Sequence, residues 1–291
     1  MNTSKRTRLL KLIGYPAFFG AAFSLMLFLT FPYDALGQLV GEQARRSGIE
    51  LSFDRLGPGF FGVRARGVSV KLPKQDGQTA EPEPIYVESV SVRPSLLPPG
   101  VKVSADLFGG SLDATWGAVG NPTLTLKAKG LDLLKTNAKA AVGLDLTGKL
   151  GAVVELKLDK KDSTKTTGRV ALMGESLLVN GGTVANYDLP KIDLGRLDAE
   201  LKLENGKASV QTFRGNGADL ELTVDGEVGL GQKPMMSTLK LKAKFKPSDD
   251  FLKRNSFIAT GLGFAMAKDS GGFYAADIQG MLGNPRFKPI K

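Results

Sequence analysis

The stretch Ser237–Lys246 reads S-T-L-K-L-K-A-K-F-K and decides the fold class. Its apolar and basic residues alternate with a period of two, which matches a β-strand with one buried face and one hydrated face. A sheet built of such strands is covered on one side only, by another sheet, a helix or a lipid. The apolar positions of this stretch are Leu239, Leu241, Ala243 and Phe245.

The same alternation recurs in both directions along the chain, for example over 197–203, 220–224 and 63–72, with Gly67 as a candidate bulge. A dozen or more short runs are separated by Gly, Asn or Asp turns that are too short for helical crossovers. We therefore expect a mainly β fold, a many-stranded antiparallel curved sheet with a few short helices. Candidate residues for an apolar groove, or for a packed core, are Leu220, Leu222, Leu239, Leu241 and Phe245.

Near the N-terminus, Leu12–Phe31 contains no charged residue and is long enough, at about 1.5 Å per residue, to cross a bilayer as a helix. Lysines and arginines precede this span and only acids follow it closely, so the positive-inside rule predicts a cytoplasmic N-terminus. Small residues four apart form a candidate face for packing against a partner helix. They are Ala17 with Ala21, and Gly20 with Ser24.

These observations divide the chain into a basic cytoplasmic tail (1–11), a transmembrane helix (12–31), a connector helix (32–48) and a periplasmic β-rich domain (49–291). The connector is predicted from apolar residues at helical spacing within 33–47, followed by Gly48. An exposed loop is expected at 73–84. A short helix is expected at 248–261, where Ser248 is a candidate N-cap.

Composition argues against catalysis. The chain has no cysteine and no histidine, which excludes thiolate metal sites and nucleophile–histidine arrangements. We expect no catalytic residue, no cofactor and no metal. The net charge of +10 is spread over strands, without a stripe of arginines among aromatics, so we expect no nucleic-acid partner.

Several short strings resemble the type II secretion system protein N family (GspN). The β-rich part is also similar in style to AsmA-like envelope proteins, whose curved sheets present an apolar groove. The resemblance implies an accessory, non-enzymatic component of the bacterial inner membrane, with other secretion-system proteins as partners. The strings are 29–36 (LTFPYDAL), 56–59 (LGPG), 62–68 (GVRARGV), 181–190 (GGTVANYDLP), 215–219 (GNGAD) and 280–285 (GMLGNP).

Two functions remain open from the sequence. The first is a structural or assembly subunit whose sheet docks on other secretion components. The alternative is a lipid-binding or lipid-transfer protein in which an open apolar groove holds acyl chains. A closed and packed core at Leu220, Leu222, Leu239, Leu241 and Phe245 would exclude this second function.

Overall fold

The computed structural model describes residues 30–46, 48–71, 84–136, 143–159, 165–184, 187–231 and 236–290, together with positions 18, 19, 23 and 26. Most of the predicted span Leu12–Phe31 and of the predicted loop 73–84 lies outside these residues, as do all four candidate helix-packing residues. Within the described part of the chain, no helix combines the length and the apolar composition that crossing a bilayer requires.

Among the described residues, the elements with defined bounds are three helices, a 3₁₀ turn and fifteen strands. The helices are α1 (Tyr33–Arg46), α2 (Asp249–Arg254) and α3 (Ser256–Ala265), and the 3₁₀ turn is Leu133–Lys135. The strands are β1 (Glu50–Gly59), β2 (Gly62–Lys71), β3 (Ile85–Leu96), β4 (Pro99–Leu107), β5 (Gly110–Gly117), β6 (Thr123–Asp132), β7 (Leu144–Lys157), β8 (Thr167–Val184), β9 (Tyr187–Leu189), β10 (Ile192–Glu204), β11 (Lys207–Asn216), β12 (Leu220–Gly229), β13 (Thr238–Pro247), β14 (Tyr274–Met281) and β15 (Asn284–Pro289).

All fifteen strands belong to one antiparallel sheet. Each pairs with its neighbours in sequence, except that the short β9 pairs only with β8, which continues to β10. Among the described strands, β1 and β15 are the two edges. The predicted fold class is confirmed in its coarser form, a curved antiparallel sheet with few helices.

The register explains why the alternating runs become strands. Between β12 and β13, Leu222 pairs with Phe245 on one face, while Asp225 pairs with Lys242 on the other. Glu227 likewise pairs with Lys240. Apolar side chains therefore meet apolar ones and acids meet lysines, which is the cross-strand pairing that stabilises a sheet.

The prediction of a bulge at Gly67 is wrong. Phe53 pairs with Val68 and Arg55 with Arg66, so the register is the same on both sides of Gly67. Gly67 instead has φ +59° and opposes Asp54, whose carboxylate a Cβ at position 67 would overlap. The glycine thus allows a local kink without an inserted residue.

The sequence predicted one short helix over 248–261, and the structure has two. Ser248 caps α2 as expected, because its Oγ accepts a hydrogen bond from the backbone N–H of Phe251 at 3.2 Å. Asn255 interrupts the helical backbone with φ −127° and ψ 64°. Helix α3 then begins at the next residue, Ser256.

Among the described elements, helix α1 packs on β1, and each strand packs mainly on its neighbours in the sheet. Among the described residues, no large side chain is fully buried. Nevertheless Ala199 and Ala128 expose only 4% and 5% of their surface. Alanine methyl groups are covered to this extent when the sheet curves toward its apolar face and brings neighbouring side chains over them. We call this concave apolar face the trough.

Candidate functional site

Alanines lie along the middle of the trough floor. In the β-ladder, Ala105 pairs with Leu112, Leu112 with Ala128, and Ala128 with Ala152, so the small residues run across successive strands. We call these residues the alanine row. Its seven alanines are Ala65, Ala105, Ala128, Ala152, Ala199, Ala243 and Ala276, and the intervening positions are Val90, Leu112, Leu172, Phe213 and Val224.

One irregularity interrupts the alanine row. The register shifts between β11 and β12, and Phe213 and Val224 are not paired directly. Beyond it, Val224 pairs with Ala243, and Ala243 with Ala276. With strands about 4.8 Å apart, a path of fourteen strands gives the trough a length of roughly 60 Å.

A row of branched side chains, with Ala114 as its one exception, borders the alanine row, about 7 Å away along the strands. Because branched side chains stand higher than alanine methyl groups, they form a wall beside a lower floor. Every member of both rows is apolar, so this part of the trough offers no side-chain hydrogen bond to a ligand. The bordering row is Val63, Val92, Val103, Ala114, Leu126, Val154, Val170, Leu201 and Val210.

The structure places all five sequence-derived groove residues together on the trough face of β12 and β13. Leu239 is buried, and the other four are half-buried. Phe245 also lies beside Tyr274 of β14, with ring centroids 5.7 Å apart. These residues form one end of the trough. The alanine row was missed, although its members occupy the middle of several alternating runs, as Ala243 does in L-K-L-K-A-K-F-K.

Helix α1 covers the opposite end of the trough. A Cβ at Gly37 would lie 2.7 Å from two ring carbons of Phe53, so the helix backbone contacts that ring directly. Tyr33 is buried at the start of the same helix. The end of the trough that follows the predicted membrane span is therefore closed by a close-fitting helix.

The opposite, polar face of the sheet is held by hydrogen bonds between strands. Ser89 Oγ donates to Asp106 Oδ2 at 2.8 Å, and Ser104 Oγ donates to Asp113 Oδ1 at 2.6 Å. The Ser104 hydroxyl, helped by Lys102 Nζ at 3.4 Å, holds the pKa of Asp113 below its ordinary value. This network connects β3, β4 and β5 on the hydrated side and leaves the trough side to packing alone.

In the described part of the chain, no group of three or more His, Cys, Asp or Glu side chains is arranged to hold a metal ion. The site is therefore described by shape and apolarity rather than by reactive groups. Searches among protein families, curated proteins and solved structures find no match to this chain.

Proposed function

We propose that this protein is a membrane-anchored envelope protein that holds lipid acyl chains along its trough. The observation that carries the proposal is a continuous apolar face on a path of fourteen strands, which among the described residues pack mainly on their direct neighbours in the sheet. Its floor is apolar throughout, with alanines recurring among larger side chains, so a bound chain of methylene groups would contact only hydrocarbon. Its role is binding or transfer of lipid, without catalysis or a cofactor.

Hydrocarbon fits this surface better than a peptide does. A bound peptide carries backbone N–H and C=O groups that need partners when they leave water. The two apolar rows offer none. An acyl chain has no such groups, and each methylene removed from water contributes about 0.8 kcal/mol. Ten methylenes thus contribute roughly 8 kcal/mol before the cost of ordering the chain is subtracted.

The proposal includes an anchor in the bacterial inner membrane. Leu12–Phe31 is its spanning helix, with the N-terminus in the cytoplasm and residues 49–291 in the periplasm. The support is the uncharged span and the basic residues before it. Helix α1 leads from this segment directly to β1, so the trough begins close to the bilayer. Protease added to spheroplasts should digest a C-terminal tag, and protection until the inner membrane is lysed would contradict this orientation.

Site-specific photo-crosslinking in cells tests the lipid itself. A benzophenone amino acid replaces Phe245 on the trough face or, as a matched control, Lys244 on the polar face of the same strand. Irradiation of cells grown with radiolabelled phosphate should attach phospholipid to the full chain at position 245 and much less at position 244. Equal labelling at the two positions, or none at either, would overturn the proposal.

A pair of substitutions tests the alanine row. Ala199→Phe fills the trough floor, whereas Ala171→Phe adds the same ring to the polar face of the adjacent strand, where Ala171 pairs with Glu200. We expect lipid crosslinking at position 245 to fall for Ala199→Phe only. Thermal unfolding of both variants shows whether the loss follows from blocked binding or from misfolding.

A second candidate function is assembly within the type II secretion system, with other secretion-system proteins as partners. The observation that favours it is a pair of apolar hairpin tips on one rim of the sheet. Phe60 and Phe61 form one tip, and Leu96 and Leu97 form the other, each at least 76% exposed. Capture of secretion components from membranes should then require these tips. Unchanged capture by a variant with serines at all four positions would contradict this role.

A further inference from the structure

Helix α3 is an apolar helix on the outside of the molecule. It runs from Ser256 to Ala265 as S-F-I-A-T-G-L-G-F-A, and the next charged residue is Lys268. No residue of the helix is buried. A helix with apolar residues on all sides normally lies inside a protein or a membrane, and this one does neither within the structure itself.

The most exposed side of α3 carries two phenylalanines. Phe257 and Phe264 expose 88% and 86% of their surface, and their separation of seven residues places them on the same side of the helix. The residues on the other side, Ile258 and Leu262, are half-buried, and among the described elements α3 packs mainly on α2. The helix therefore rests on the protein through one apolar side and presents another to the outside.

Helix formation itself is not favoured by this composition. Gly261 and Gly263 lie in the helix, and a Cβ at either position would meet nothing within 4 Å. These glycines are not required by close packing, and glycine lowers helix stability in water. An apolar surrounding would supply the stabilisation that the sequence of α3 lacks.

Helix α2 fixes the position of α3 on the rim of the sheet. Phe251 of α2 is buried, and the guanidinium of Arg254 donates to the carboxylate of Asp219. Asp219 is itself buried, and its Oδ2 accepts a hydrogen bond from the backbone N–H of Asp193 at 2.9 Å. These contacts fix α2, and with it the start of α3, at the rim of the sheet.

We propose that α3 docks on the surface of a lipid bilayer, with Phe257 and Phe264 inserted among the acyl chains. At about 1.5 Å per residue the helix is roughly 15 Å long, too short to span a bilayer but suited to lying at its surface. Lys253, whose Nζ lies 3.4 Å from Asp250 Oδ1, precedes the helix and Lys268, next to Asp269, follows it, so each uncharged end is adjacent to charged groups suited to the headgroup region. The proposal stands independently of what the trough carries.

A bilayer suits this helix better than a protein groove. A helix that binds in a protein groove presents one apolar face and keeps charged or polar residues on the other. The segment 256–267 has no charged residue on any side. A lipid surface accommodates apolar residues around the helix, and its headgroups meet the lysines at the two ends.

The chain contains no cysteine, so a single introduced cysteine can be labelled uniquely. Gly261→Cys lies between the two phenylalanines, in open space, and keeps both of them. The full chain, labelled there with a nitrobenzoxadiazole dye, is reconstituted into vesicles of phosphatidylethanolamine and phosphatidylglycerol. We expect blue-shifted emission, quenching by doxyl-labelled lipid and protection from aqueous iodide. Lys202→Cys, on the polar face of β10, should give the reverse pattern.

The two phenylalanines are tested in the labelled background. Phe257→Ser with Phe264→Ser should move the label at position 261 into water, whereas Phe60→Ser with Phe61→Ser should leave it in lipid. An iodide-accessible label with both phenylalanines intact would overturn the proposal. A label shielded from both quenchers would also overturn it, because a protein such as a second copy would then cover the helix. If position 245 does not crosslink to lipid while the label at position 261 remains in lipid, the trough function alone is rejected.

Discussion

The two faces of the sheet are made by the same strands but are held together differently. On the polar face, acids pair with lysines across β12 and β13, and serine hydroxyls donate to carboxylates across β3, β4 and β5. The trough face has only apolar packing, which the curvature of the sheet brings together. The position of a residue along the pleat, rather than its strand, therefore decides what a substitution does.

The largest expected effect separates the two faces at adjacent strands. Ala199→Asp places a carboxylate on the trough floor, where only 4% of the residue is exposed, and should lower the free energy of unfolding by roughly 3 kcal/mol. Ala171→Asp on the polar face should cost less than about 1 kcal/mol. Urea unfolding of the full chain in detergent, followed by the fluorescence of the single tryptophan, Trp116, measures both. Equal losses of unfolding free energy in the two variants would show that the two faces of the sheet do not differ in this way.

The next effect concerns the one end of the trough that a helix covers. Gly37→Val should clash with the ring of Phe53 and cost about 2 kcal/mol in unfolding free energy. Gly41→Ala in the same helix is the control, since its Cβ would meet only Leu51 O at 3.8 Å. It should stabilise the protein by about 0.5 kcal/mol. The same urea titration distinguishes them, and a harmless Gly37→Val would show that α1 does not fit closely there.

On the polar face, Ser104→Ala removes the hydroxyl that donates to Asp113 and should cost about 1 kcal/mol at neutral pH. The folded-state pKa of Asp113 is lowered chiefly by this hydrogen bond. Its contribution to stability is therefore present above the ordinary aspartate pKa and is lost as pH falls through the lower folded value. The variant should show a flatter loss of stability in acid. Ser91→Ala, which loses only a 3.4 Å bond to Ser104 O, is the control.

The smallest effect is expected for an exposed ion pair. Lys207 Nζ lies 3.3 Å from Glu227 Oε2 on adjacent strands of the polar face, and both side chains are about half exposed. Glu227→Gln should change the unfolding free energy by no more than about 0.5 kcal/mol, and high salt should remove the difference. A loss above 1 kcal/mol would mean that the polar face depends on individual pairs.

The alternation of apolar and charged residues was sufficient to predict the sheet and its two faces. Leu239, Leu241 and Phe245 lie on the face that the sequence indicated, because the period of two directly specifies side-chain direction. The N-cap at Ser248 was equally local and was confirmed. Each of these features depends on residues that are close together in sequence.

Features that depend on register across many strands could not be predicted. The alanine row forms only because the strands from β2 to β14 are aligned with one another across the sheet. Register shifts, such as the one between Glu200 and Leu201, change which residues face each other. Gly67 kinks its strand without shifting the register, and glycine alone does not distinguish the two outcomes. The exposure of α3 depends on where α2 is anchored, through Asp219, far away in sequence.

The succession of strands in simple sequence order has a consequence for how such a protein changes its reach. A strand added at an edge of the sheet pairs only with the strand already there. A duplicated hairpin would therefore extend the sheet by about 10 Å and leave the existing strand pairs intact. The length of the sheet can thereby change without changing the stability of each strand pair. Evolution can therefore lengthen or shorten such a sheet by whole hairpins without changing the existing strand pairs.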